Sequence, residues 1–86
     1  LNLFIIQINI NKNNKNYNKL LQTIKNSGQW YKYSDCSYLL KSTLSIEILT
    51  YAISKYVNIH KDASIHPFEN NNSINLENFK FENGVY

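Results

Sequence analysis

The sequence predicts an α+β fold: a βαββαβ sandwich with both helices on one face of an antiparallel sheet and an extra C-terminal strand. Three observations predict it. Residues 3–10 alternate as a β-rich run, with Phe4, Ile6, Ile8 and Ile10 making one apolar row. Two stretches switch to helical spacing, with Tyr17, Leu20, Leu21 and Ile24 on one stripe and Ile46, Leu49, Ile53, Tyr56 and Val57 on another. Between and after them, aromatic and β-branched residues return at strand spacing.

The first strand carries a second, incomplete apolar row. Leu3 and Ile5 begin it, and Gln7 and Asn9 end it. A half-buried strand needs only one apolar side, so Leu3 and Ile5 raise the question of what covers the other face of the sheet. The polar stretch from Asn11 to Asn18 reads as a loop into the first helix, because Asn caps well and is a poor interior residue. Gly28 is expected to end that helix as a left-handed residue just past its C-cap.

Trp30 to Tyr33 and Cys36 to Lys41 read as two strands, joined at Ser34 and Asp35. This turn lacks a strong Asn-Gly or Asp-Gly signal, so one long bent strand is the alternative. Ser45 is placed to cap the second helix, with Glu47 in its first turn against the helix dipole, and the helix is expected to run to near Asn58. Asp62 to Phe68 predicts a fourth strand, with Pro67 at an end, an edge or a bulge. The Asn70–Ser73 run reads as a linker. Beyond it Ile74 and Leu76, then Phe79 and Phe81, alternate with polar residues as a last short strand. The expected organisation is a domain over 1–69 and an Asn-rich linker with a C-terminal strand over 70–86. The order of elements is that of the split βαβ, ferredoxin-like plan. Leu3 and Ile5 then look out of the open face of its sheet. Such a patch on so small a sheet predicts association, first of all a two-fold homodimer.

Composition narrows the chemistry. With 86 residues the chain has room for one small core, and 43% hydrophobic content is too high for a disordered chain. The single Cys36 leaves no intrachain disulfide and no multi-cysteine zinc site, and it is expected to be inert packing in a β-strand. No apolar run approaches the ~20 residues of a membrane-spanning helix, and no charged-then-apolar segment opens the sequence, so a soluble, cytoplasmic protein is expected. Net charge is +3, yet all nine basic residues are Lys and none is Arg, the residue that forks onto phosphate and guanine. Together with fifteen Asn, this records Lys and Asn codon usage of an AT-rich gene, and a solvated surface explains the charge.

His60 and His66 fit no metal-pair spacing and read as surface or strand-edge residues, and the two glycines make no phosphate loop. Asp35 and Asp62 read as a turn residue and a cap. Trp30, Tyr31, Tyr33 and Tyr38 with Lys32 and Lys41 are candidates for an aromatic, basic surface that stacks bases, and equally for core and interface packing. Lys12, Lys15 and Lys19 cluster near the first helix start as possible phosphate contacts. No cofactor, metal or small-molecule substrate is called for.

The segments LFIIQININ, YNKLLQTIKNSGQWYKY, SYLLKSTLS and KDASI, taken in order, resemble the small Cas-two-type CRISPR-associated proteins and their stand-alone relatives. The resemblance covers residues 3 to about 66. It implies a ferredoxin-like homodimer whose sheets face each other, often with a C-terminal strand reaching the neighbouring subunit. Some members are described as metal-dependent nucleases in which an Asp closes the first strand near the two-fold axis. The matching position is Asn9, and a neutral amide there removes the negative charge that a hard divalent cation requires. Leu3, Ile5, Gln7 and Asn9 are the expected dimer interface. The sequence therefore points to a catalytically silent binding module for a protein or nucleic-acid partner. Its size and kinship suit a phage or mobile-element inhibitor of host defence, such as an anti-CRISPR protein. A metal-dependent endoribonuclease or other nuclease, and an antitoxin-like RNA-binding regulator, are the alternatives.

Overall fold

The computed structural model describes residues 1–68 and 76–84. In chain order they form β1 (Asn2–Ile8), α1 (Tyr17–Asn26), β2 (Gln29–Ser34), β3 (Ser37–Ser42), α2 (Ile46–Ser54), β4 (Ala63–Pro67) and a short 3₁₀ turn (Leu76–Asn78). The strands make one antiparallel sheet in the order β2-β3-β1-β4. This bears out the expected α+β class. No helix among the described residues is long and apolar enough to cross a membrane.

The complete apolar row of β1 forms the floor of the core. Phe4 pairs with Leu40 on one side and Pro67 on the other, and Ile6 lies between Tyr38 and Ile65. Tyr17, Leu20 and Ile24 of α1 and Leu49 and Ile53 of α2 close over this row, and all five belong to one buried cluster with it. Ile10 falls beyond the end of β1 and packs against the cluster from the following loop, so the strand is shorter than its apolar pattern.

Asparagine builds the loop before α1 through its side chain. The Asn11 carboxamide oxygen accepts from the Asn13 N–H at 2.9 Å, and the Asn14 oxygen accepts from the Asn16 N–H at 2.8 Å. These two turns bring the chain into the helix, and Asn16, at the N-cap, makes no side-chain cap itself. Ser45 caps α2 as its sequence position implies, accepting from the Ile48 N–H at 3.3 Å. The helix stops at Ser54, short of Asn58. Asn58 belongs instead to a loop closed by two bonds, its N–H donating to the Asp62 carboxylate at 2.9 Å while its carbonyl accepts from the Asp62 N–H at 2.8 Å. Within that loop His60 takes φ 76°, a left-handed conformation that His adopts more readily than most residues with a Cβ.

Gly28 has a different role from the one expected. It is not left-handed. A Cβ placed on it would stand 2.0 Å from the Lys41 carbonyl oxygen, so the glycine is there to let the α1–β2 turn press onto β3. Cys36 is likewise corrected: it is exposed at the β2–β3 turn and is not buried in a strand.

Among the described residues the expected C-terminal strand reduces to a single bridge. Leu76–Asn78 is a 3₁₀ turn, and the Glu82 backbone exchanges two hydrogen bonds with Trp30, of 2.8 and 2.9 Å, on the outer edge of β2. Ile74 and the Asn70–Ser73 run lie outside the described residues. The segment Leu76–Gly84, hereafter the strap, is thus tied to the chain's own sheet.

Candidate functional site: the second face of the sheet

The face turned away from the helices is set by register. Ile5, Leu39 and Tyr31 stand side by side across β1, β3 and β2, with His66 beyond Ile5 on β4; Leu3, Lys41 and Gln29 form the neighbouring row. Leu39 is 0% exposed yet stands outside the main core cluster. A second, smaller apolar cluster therefore exists on this face, and the strap supplies its rings. Phe79 packs on Tyr31 at 4.7 Å between centroids, and Tyr33 meets Phe79 edge-on at 6.1 Å. Phe81 lies 5.9 Å from Tyr31, and the Lys41 ammonium sits 4.2 Å above the Phe81 ring, within cation–π range. On the other side of β2 the Trp30 indole N–H donates to the Asn83 carbonyl at 2.9 Å, while Lys25 covers the indole face at 4.4 Å.

Among the described residues, the strap's aromatic and cation–π contacts on this face are to Tyr31, Tyr33 and Lys41 of β2 and β3. On the β1–β4 half, Leu3 and Ile5 remain half-buried, and Gln7 and His66 are exposed. The expected interface residues Leu3, Ile5 and Gln7 share this half by the alternation of β1. Asn9 lies one residue past the strand end. Its N–H donates to the Asp62 carbonyl at 2.7 Å and its side-chain amide donates to the Lys61 carbonyl at 3.4 Å, which ties the end of β1 to the loop entering β4.

The candidate aromatic and basic residues do not form one surface. Tyr38 is 3% exposed in the core, and its hydroxyl is held above its usual pKa of 10.0 by burial first and by the neighbouring Tyr17 second. Trp30 and Lys32 stand on Tyr38's side of the sheet, opposite Tyr31, Tyr33 and Lys41. Lys12, Lys15 and Lys19 are all exposed around the start of α1, away from these rings in sequence and in element. His60 and His66 are both exposed, and Asp35 lies in the β2–β3 turn. Among the described residues no three His, Cys, Asp or Glu side chains come together as a group able to hold a metal.

Sequence reasoning missed the pairing of Phe79 and Phe81 with Tyr31, Tyr33 and Lys41. The signal was the alternation of Phe79 and Phe81 in the tail together with the leftover apolar row of β1. No protein-family model, curated protein or solved structure matches the chain.

Proposed function

We propose that this chain is a catalytically silent, homodimeric binding module of ferredoxin-like, Cas-two-like type, which acts by occupying a surface of a protein or nucleic-acid partner. The observation that carries the reading is the second apolar row of β1. Leu3 and Ile5 stay half-buried beside their β3 partners, Lys41 and the buried Leu39, while the strap's aromatic contacts on this face are to Tyr31 and Tyr33 of β2. A partially covered apolar row of this kind gains most from a second copy, because a small domain buries a modest share of its surface alone. The strand order β2-β3-β1-β4, with α1 and α2 each following a strand and packed in one cluster, supports the ferredoxin-like plan.

The silent character rests on Asn9. Its amide donates to a main-chain carbonyl, a bond that a carboxylate has no proton to make. An Asp in its place would set a negative charge against the Lys61 carbonyl oxygen. A role as an inhibitor of host defence carried by a phage or mobile element fits a small module that works by occupancy. The test is incubation of the purified protein with RNA and DNA in the presence of Mg²⁺ or Mn²⁺. The reading expects intact nucleic acid; cleavage abolished by Asn9→Ala would overturn it in favour of a metal-dependent nuclease.

A further inference from the structure

We propose that Asn83–Gly84 is a site of spontaneous covalent modification, where Asn83 loses its side-chain ammonia and the main chain is rerouted into an isoaspartyl link, and that docking of this pair on β2 and α1 sets the rate. The site lies outside the binding-module reading and depends neither on a partner nor on the dimer.

The pair stands alone in the sequence. Of fifteen Asn residues, only Asn83 precedes a glycine; each of the others precedes a residue with a Cβ. A glycine leaves its own nitrogen open to approach and lets the backbone turn toward the preceding side chain. Packing explains why a glycine is there. A Cβ on Gly84 would lie 2.7 Å from the Lys25 carbonyl oxygen and 3.3 Å from the Asn26 Cα, at the end of α1. The strap thus fits α1 only with the residue that makes Asn83 labile.

The chemistry needs water alone. The Gly84 main-chain nitrogen attacks the Asn83 Cγ and forms an N–Cγ bond. The Cγ–Nδ2 bond breaks, and Nδ2 leaves as ammonia, taking up the proton that the Gly84 nitrogen gives up. Water then opens the five-membered imide. Opening at Cγ gives Asp. Opening at the former main-chain carbonyl gives isoaspartate, in which that carbonyl has become a carboxylate and the main chain has gained one carbon. Asn83 is exposed, so water reaches it.

The fold restrains both reacting residues. The Asn83 carbonyl accepts from the Trp30 indole at 2.9 Å, its side-chain oxygen accepts from the Gln29 amide at 3.4 Å, and Gly84 is seated against α1. Cyclisation requires the nitrogen and Cγ to be brought into line, which turns the groups so held. Conversion therefore runs through the fraction of molecules in which this end is undocked. Once formed, the isoaspartyl link shifts Gly84 by one main-chain atom from its seat at Lys25. It also sets a carboxylate against the indole that Lys25 covers at 4.4 Å. Trp30 is the chain's only tryptophan, so its emission reports the change.

The experiment incubates the full chain at physiological temperature and mildly alkaline pH, in native buffer and in urea. Conversion is followed by peptide mapping with mass spectrometry, and isoaspartate by its enzymatic methylation. In urea Asn83 is expected to convert before every other Asn. In native buffer its conversion should be at least about tenfold slower, yet reach completion on continued incubation. Trp30→Phe and Gln29→Ala, which each remove one tie to Asn83, should both speed the native reaction toward the urea rate; Gln29→Ala decides if Trp30→Phe does not fold. Trp30 emission should shift in step with conversion and stay fixed in Asn83→Gln. Earlier conversion at another Asn, equal rates in native buffer and urea, no native conversion, folded variants with the wild-type rate, or emission unmoved by conversion would each overturn the proposal.

Discussion

Replacing Gly28 by Ala puts the close approach of the α1–β2 turn to β3 under direct test. The new Cβ would meet the Lys41 carbonyl oxygen at 2.0 Å, where ordinary contact begins at 3.4 Å, so the two backbones must separate by about 1.4 Å. No flexible side chain can give way, because the obstacle is main chain in a strand paired on both sides, to Leu3 and to Gln29. Overpacking of this kind costs about 1–3 kcal/mol. The movement also strains the bond from the Ser42 hydroxyl to the Ser27 carbonyl, which at 2.6 Å is one more contribution of about 1 kcal/mol. Against this, Ala narrows the unfolded ensemble and returns roughly 0.4–1 kcal/mol. The net expectation is a loss of about 1–3.6 kcal/mol, or a fall in Tm of roughly 4–29 °C for a domain of this size. Thermal unfolding by circular dichroism, at one protein concentration for all samples, measures it. Gly28→Asn separates the two roles a glycine could have here. A left-handed residue would tolerate Asn, whereas a close contact makes Asn at least as damaging as Ala. A fall in Tm of less than about 3 °C for Ala, or a milder loss for Asn, would refute the close-contact reasoning.

Two further outcomes follow from the packing. Leu39→Ala, at a fully buried position outside the main core, is expected to cost about 2–5 kcal/mol in denaturant unfolding, a loss a solvent-facing residue would not show. Tyr38 carries a proton more tightly in the fold than in the unfolded chain because burial, and secondarily Tyr17, disfavours its phenolate. Its contribution is therefore fully present below the unfolded value near 10.0, and stability should fall as pH rises from there through the folded value. Tyr38→Phe should flatten that decline in melts run across the alkaline range, and an unchanged slope would contradict the assignment.

The two helices and four strands were legible because their apolar periods are strong. Tyr17, Leu20 and Ile24, and Leu49 and Ile53, are buried where the helical stripe put them. The errors fall where local pattern and long-range contact compete. Gly28 has the sequence position of a helix terminator, and its reason is a carbonyl thirteen residues later in the chain. Cys36 follows an aromatic run that looks like a strand, yet the turn closes through Ser34 and Ser37, whose hydroxyls lie 2.5 Å apart. Ile10 continues the β1 alternation, but the chain has already left the sheet. Alternation also marked Phe79 and Phe81 as strand, since no local rule says that rings thirty-odd residues after β3 settle on Tyr31 and Lys41. The candidate face was half legible. Leu3 and Ile5 raised the question of its cover, and the tertiary register showed that the strap's rings meet Tyr31 and Lys41 on it.

A second copy is proposed to cover Leu3 and Ile5. Light scattering on the eluting protein tests it most directly, comparing the wild type with Ile5→Asp, which would place a charge in that contact. The wild type is expected near twice 10.1 kDa and a folded Ile5→Asp protein near the single-chain value. A wild-type mass of one chain at every concentration, or a dimer indifferent to the substitution, would contradict it.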